Sequence, residues 1–515
     1  MSSDPGQADI VAFLADPRSH GRAVGRVETI TTHASVIFLV GDRAYKLKRA
    51  VKYSYLDYAT PELRRRACEA ELALNRRTAP ELYLAVLPIS RRADGGLVLG
   101  GAGEAVDWVV EMRRFPQEAL FSHLAETGQL TPRLAMLAAD RIAAFHGIAE
   151  PLRDQGGADG IRAVIQINDE NLRRALPQGL ALSDIDRLRD ATLAAFERHA
   201  DLLESRRADG KVKRCHGDLH LANIALIDNV PTLFDCIEFS DLIACIDVLY
   251  DLAFLLMDLR HRALAEPAAQ VFNRYLDRAD ESDGLPALPL FLSLRAAVRA
   301  HVTATAALSQ APDARDRKLR EARAYFDMAE DLLRPVSPRL VAIGGLSGTG
   351  KSSVAAALAA GLGIAPGARV LRSDVLRKRL FGQAPESRLP PAAYEAEVNA
   401  RVYATLHREA ERAIAAGYSV ILDSVAARPE ERAGFATIAA RAGIPFKGLW
   451  LEADPEVLRR RLRARQHDAS DADAAVLERQ LAYDLGPMTW TRIDAGRDPR
   501  MVAAAARRAI GAPPP

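Results

Sequence analysis

Gly345-Leu-Ser-Gly-Thr-Gly-Lys351-Ser352 decides the reading of the last third of the chain. The run fits G-x-x-x-x-G-K-[ST], a loop whose glycines let backbone N–H groups converge on phosphate oxygens. Its setting fits too. The apolar run Leu340–Ile343 predicts a strand before the loop, and the Ala-rich run from Ser353 to Leu362 predicts a helix after it. That helix adds the positive end of its dipole to the phosphate site. Gly345, Ser347, Gly348, Thr349, Gly350 and Ser353 form the expected cradle. Lys351 is expected to reach the β- and γ-phosphates of ATP, and Ser352 to hold Mg2+.

Outward from this loop, short apolar runs (Leu340–Ile343, Val420–Leu422, Gly448–Leu451) alternate with Ala/Arg/Glu-rich segments. Strands alternating with helices predict an α/β domain with a parallel sheet, a P-loop NTPase fold, over 339–515. Ligands sit at the carboxyl ends of such strands. Asp374 is expected to close the strand 368–374, and Asp423 the strand 419–423. One of the two can coordinate Mg2+, for which Asp423 is chosen. The other, Asp374, can accept a proton from an attacking hydroxyl. A helix-capping role competes for Asp423. Arg377, one helical turn past Asp374, suits an anionic group on the substrate. In Arg459-Arg-Arg-Leu-Arg-Ala-Arg465, Arg461 and Arg465 would share one helix face. Such a face either neutralises a transferring phosphoryl group or is simply solvated. No aromatics interleave these arginines, which argues against nucleic acid as the partner.

A second constellation lies upstream: His216-Gly-Asp218-Leu-His-Leu-Ala-Asn223, followed by Phe234-Asp235. The Asp-to-Asn spacing equals that of the catalytic loop H-R-D-x-x-x-x-N. It lets one loop aim Asp218 at an acceptor hydroxyl while Asn223 points at a metal. Asp235, at the end of the run from Val230, is the expected second oxygen ligand for Mg2+. A phosphate-gripping lysine is expected upstream on a strand. Lys46 and Lys48 share one face there, and Ala44-Tyr-Lys46 favours Lys46. Its helix partner is expected to be Glu71, with Glu69 as the alternative. Around these residues, Val36–Val40, Gly41-Asp42 and Arg43–Lys48 read as a hairpin, 61–77 as a helix opened by Pro61, and Trp108–Met112 as a strand. Helical periodicity dominates from about 130 to 334, and Pro335-Val-Ser-Pro338 reads as a linker.

The chain has 515 residues, so more than one core is expected. Its net charge of +2 gives no global attraction to nucleic acid or membrane. The most apolar stretch, 242–259, carries Asp247, Asp251 and Asp258, which argues against a membrane span. Its four cysteines form no C-x-x-C pair, as expected of reduced thiols in the cytoplasm. The N-terminus carries no apolar run of the signal-peptide kind.

Residues 339–510 resemble the small P-loop kinases, which include gluconate kinase, the chloramphenicol phosphotransferases and the polynucleotide kinase domain. The resemblance implies that Ser373-Asp374-Val-Leu-Arg377 handles the acceptor hydroxyl and that the arginines near 461 ride on a lid. Residues 28–310 resemble the aminoglycoside and choline phosphotransferases, which share the protein-kinase fold. Gly217 replaces the Arg of protein kinases, as it does in that group. Asp251 matches an Asp that steadies the catalytic loop. No G-x-G-x-x-G is present; Thr31-Thr-His-Ala-Ser35 lies in its place. Both halves together resemble bacterial fusions of a phosphotransferase-like domain with a predicted P-loop kinase. The expectation is an α+β protein-kinase-like domain over 1–335 followed by the α/β P-loop domain. Two ATP sites are expected, each transferring the γ-phosphoryl group to a hydroxyl of a small molecule; the alternatives are a regulatory ATP-binding protein with one catalytic domain and a nucleic-acid end kinase.

Overall fold

The β-branched run before Gly41 and the basic run after it pair as a hairpin, with Gly41 at φ +56° where a two-residue reversal requires it. In the computed structural model this hairpin joins β2 (Ser35–Val40) to β3 (Arg43–Lys48). β1 (Val27–Thr31), β4 (Tyr83–Arg91), β5 (Leu97–Leu99) and β6 (Glu104–Arg113) complete an antiparallel sheet of order β1-β2-β3-β6-β4-β5. The structure describes residues 5–21, 25–53, 56–175, 181–308, 310–464 and 469–511. They divide into two units, Met1–Gly160 with Ser205–Leu252, and Ile161–Glu204 with Ala253–Pro515.

In the first unit, α1 (Pro61–Asn75) starts where expected. The Thr60 hydroxyl accepts from the Leu63 N–H, and Pro61 occupies the first turn, where its missing donor costs nothing. One face of α1 enters a core of Cys68, Leu82, Tyr83, Val110 and Met112. The other sheet face packs Phe38, Tyr45, Leu47 and Val109 beneath the N-terminal helix residues Ile10 and Leu14. The register sets Lys46 opposite Ile37 and Val110, so Lys46 and Lys48 point from the sheet toward α1. A second hairpin, Ile224–Ile227 with Val230–Leu233, carries the chain from the 216–223 loop to Asp235.

The second unit contains the parallel sheet. α2 (Ala265–Arg278) precedes β7 (Leu340–Gly345), α3 (Lys351–Ala359), β8 (Arg369–Arg372), α4 (Ser373–Leu380), β9 (Val420–Asp423), β10 (Phe446–Glu452), α5 (Pro455–Arg463), α6 (Ala474–Leu481) and β11 (Thr491–Asp494). The order is β8-β9-β7-β10-β11, all pairs parallel. β7 and β9 are buried on both faces, as continuous apolar strands of covered parallel sheets are. One sequence expectation changes. β8 ends at Arg372, the last residue in register with Asp423, so Asp374 stands in the first turn of α4 rather than on the strand. α5 ends at Arg463, and Arg465 lies outside the described residues. The tail 512–515 lies outside them too.

α2 is integral to this sheet's surroundings. Ala269 belongs to the same core as Val341, Ile421 and Leu449. Asn273 Oδ1 accepts from the Val370 N–H at 2.7 Å, and its Nδ2 donates to the Ala368 carbonyl at 3.0 Å. One side chain thereby satisfies the open edge of β8, which has a strand neighbour on one side only.

Candidate active site

In the first unit, β3, α1 and the Asp235 loop meet around two lysines. Lys46 Nζ donates to Glu71 Oε1 at 2.8 Å and to Asp235 Oδ1 at 2.5 Å. The helix partner is thus Glu71; Glu69 instead faces outward and pairs with Arg65. Lys48 Nζ lies 2.5 Å from the other Glu71 oxygen and also donates to Glu238. Burial pushes the Glu71 carboxyl up, but Lys46 and Lys48 outweigh it and hold the group at about 2. Burial likewise opposes charge on Lys46, and Asp235 and Glu71 overcome it, so its ammonium stays charged well above the usual lysine range.

The 216–223 loop is fixed from below by Asp251. Its two carboxylate oxygens accept the N–H groups of His216 (3.1 Å) and Gly217 (2.9 Å). Gly217 sits at φ +84°, and a Cβ there would lie 3.0 Å from Ile237, so the arginine of protein kinases would be strained and crowded at this position. The same Asp251 meets His146 at 3.1 Å. His146, Cys215 and Asp251 come within metal-ligating range of one another. Asp251 is already spent on loop N–H groups, and burial holds the Cys215 thiol protonated, so the cluster reads as a support for the loop.

On top of the loop, Asn223 Nδ2 donates to both the backbone carbonyl and Oδ2 of Asp218, each at 2.9 Å. His220 Nε2 lies 3.3 Å from the same Oδ2. With its nitrogen committed to Asp218, the Asn223 amide turns its oxygen to the other side. Asp235 occupies the left-handed region at φ +64°, held there by its N–H donating to Tyr83 Oη and by the Cys236 N–H donating to Asn75 Oδ1. An amide oxygen and a carboxylate are hard donors of the kind Mg2+ takes. Where a glycine-rich loop was absent from the sequence, β1 and β2 join through a tight turn. The Ser35 N–H donates to Thr32 Oγ1, and Arg49 donates to the Thr32 and His33 carbonyls.

In the second unit the P-loop adopts its expected shape. Gly345, Gly348 and Gly350 take φ of +144°, +85° and +86°. A Cβ on Gly345 would stand 2.5 Å from the Leu451 carbonyl. Lys351 Nζ folds back on the Gly345 and Leu346 carbonyls at 2.8 and 3.1 Å. Ser352 Oγ donates to Asp423 Oδ2 at 2.6 Å, so the hydroxyl and carboxylate proposed for one metal are neighbours. Thr349 Oγ1 closes onto the Leu346 carbonyl, the Ser347 N–H donates to Gln480 of α6, and Ser353 opens the exposed side of α3.

Arg377 is placed differently from its expected acceptor-facing role. It is buried, with Nη1 donating to the Ala393 carbonyl and Nη2 to Asn399 Oδ1, both at 2.7 Å. It therefore ties α4 to the segment 393–399 and lies under the Tyr394 ring. Asp374 and Arg461 are both half-buried, Asp374 on α4 and Arg461 on α5. Sequence reasoning missed Arg372, whose Nε lies 3.3 Å from Asp423 Oδ2. It also missed Glu238 and Tyr58, whose hydroxyl donates to Glu238 at 2.5 Å. Glu238 lies only three residues past Asp235, but nothing local signals which lysine it meets.

Family models match both halves: one described as a phosphotransferase enzyme family over 32–290, and one described as an AAA domain over 340–484. An uncharacterized protein of Mycobacterium tuberculosis (strain ATCC 25618 / H37Rv), Rv2004c, is 30% identical over 474 residues, covering 89% of this chain and 91% of its own length. Mb2027c of Mycobacterium bovis matches equally. Among solved structures, a choline/ethanolamine kinase family protein from Mesorhizobium loti is 16% identical, with a TM-score of 0.39 over 64% of this chain and 99% of its own. The Mycobacterium tuberculosis APS kinase CysC is 22% identical, with a TM-score of 0.26 over 35% of this chain and 100% of its own. No helix among the described residues is long and apolar enough to cross a membrane. With the lysine–glutamate pair, the Asp218 loop and the P-loop in place, the chain belongs to the phosphotransferase enzyme family and is an ATP-dependent kinase.

Proposed function

We propose that both units bind ATP and that each transfers its γ-phosphoryl group to a hydroxyl of a small molecule, a sugar, an aminoglycoside-like compound or a related metabolite. The observation that supports this reading is that Lys46 meets Asp235 in the first unit, where Asn223 holds Asp218, and that Ser352, next to Lys351, meets Asp423 in the second. Mg2+, when bound, would neutralise phosphate charge and orient the transferring group. Asn223 and Asp235 would hold it in the first site, and Ser352 with Asp423 in the second.

The chain's own groups divide the remaining work. Asp218, its carboxylate fixed by Asn223 and His220, takes the proton of the acceptor hydroxyl at the first site. Lys46 turns from Asp235 to the phosphates. Lys351 leaves the loop carbonyls for the β/γ-phosphates, Asp374 serves the second acceptor, and Arg461 with Arg465 meets the transferring charge. Arg377 shapes the acceptor side through the 393–399 segment. We assign the phosphotransferase module to 1–335 and the P-loop module to 339–515. The four buried thiols fit a cytoplasmic setting.

A screen of hydroxyl-bearing metabolites, aminoglycosides and oligonucleotides with labelled ATP tests this reading on the full chain, with Lys351→Ala and Asp218→Asn as single and double variants. Two separable activities are expected. If Lys351→Ala binds one ATP yet transfers to no acceptor, the first unit is a nucleotide sensor. Transfer to oligonucleotides alone, with a steep salt dependence, would replace the small-molecule acceptor.

A further inference from the structure

Two lysines, not one, converge on Glu71, and the second is the more deeply buried. Lys48 is 2% exposed, against 12% for Lys46. It sits between Glu71 Oε2 and Glu238, over the Tyr58 ring at 5.2 Å, while Tyr58 Oη donates to Glu238. Asp235, Lys46, Glu71, Lys48 and Glu238 thus form an unbroken chain of alternating charge. It runs from the metal loop through the α1 carboxylate and back to the same loop three residues on.

We propose that Lys48 is a positioning residue for ATP binding: it holds the far oxygen of Glu71 so that Lys46 shares only the near one and stays free to move to the phosphates. This rests on the reading of Lys46 as the phosphate-binding lysine. The physical argument is one of charge sharing. A buried carboxylate needs both oxygens satisfied. With Lys48 present, each Glu71 oxygen has its own ammonium. Without it, Lys46 is the cation left for Glu71 among the described residues, and the ion pair tightens at the expense of phosphate. Glu238 would also lose its cation and act as a further anion beside Asp235. A buried ion pair that only held the fold would be replaceable by apolar packing. This one shares a carboxylate with the lysine that must move.

The test measures ATP and adenosine affinity by calorimetry on the full chain, with Lys351→Ala present to silence the second site. Lys48→Met should weaken ATP about tenfold, the scale of one charge-assisted hydrogen bond, and leave adenosine within about twofold. Lys48→Arg should stay within about threefold for ATP. Because Lys48→Met strands Glu238 and can unfold the sheet, Lys48→Met/Glu238→Gln is measured alongside. It should restore the melting temperature but keep the ATP defect, since Glu71 still lacks its second partner. Unchanged ATP affinity in a folded variant overturns the proposal, as does an equal loss of ATP and adenosine. Lys46→Ala separates the two layers. If it leaves ATP affinity intact, the reading of the site is wrong. If it weakens ATP while Lys48→Met does not, only the role of Lys48 falls.

Discussion

Asn273 offers a quantitative test of how the second unit is held together. In Asn273→Ala the Val370 N–H and the Ala368 carbonyl lose their partner, and Arg369 loses an acceptor at 3.0 Å. Ala368 is 0% and Val370 9% exposed, so water replaces the amide poorly. Each buried group left unsatisfied costs about 1–3 kcal/mol. Arg369, itself buried, keeps Asp277 at 2.7 Å, which limits the damage there. The two backbone groups together come to about 2–6 kcal/mol. At roughly 2 °C per kcal/mol, the low end of the range for large units, the melting temperature of the second unit should fall about 4–12 °C. Scanning calorimetry of the full chain, with and without ATP, separates this transition from that of the first unit. Asn273→Asp should fall between the two, because it keeps the acceptor for Val370 and loses the donor to Ala368. A drop below about 1 °C in Asn273→Ala would refute the argument that α2 seals the edge of β8. So would a 339–515 fragment that melts where the full chain does.

Other outcomes follow from the same geometry. Lys351→Ala should abolish nucleotide binding at the second site, since it removes the side-chain cation expected at the β/γ-phosphates; calorimetry on the full chain reads this. With that site silent, Asp218→Asn should keep ATP bound and lower transfer by about 10²–10⁴-fold, whereas Asp235→Asn should weaken Mg-ATP itself, and labelled-ATP transfer beside binding isotherms distinguishes them. Arg377→Met should lower the melting temperature as well as transfer, because its guanidinium ties α4 to the 393–399 segment; a purely kinetic defect would contradict that placement. Limited proteolysis should cut in the exposed run Pro335–Ser337 and give fragments of about 335 and 180 residues. Those fragments should co-elute, because Ala269 and Asn273 stay bound to the P-loop sheet.

The sequence by itself determined what depends on near neighbours. The P-loop needs particular glycine conformations within eight residues, and the strand and helix around it are written in local periodicity. The spacing from Asp218 to Asn223 encodes a loop that one hydrogen-bonded turn can close. The hairpin at Gly41-Asp42 and the capped start of α1 at Thr60-Pro61 are local in the same sense. Tertiary structure decided the pairings between residues far apart in the chain. Period-2 geometry placed Lys46 and Lys48 on one face, but only the docking of α1 gave each a separate oxygen of Glu71. Only the return of the chain some 190 residues later brought Asp235 to one lysine and Glu238 to the other. Arg377 read as an acceptor-binding group from its distance to Asp374, yet burial turned it to Ala393 and Asn399. α2 reads as one helix among many, and its membership in the P-loop core rests on Ala269 and Asn273. Local pattern fixes which face of an element is apolar; which buried charge meets which partner is set by desolvation, and that cost exists only once the elements have packed.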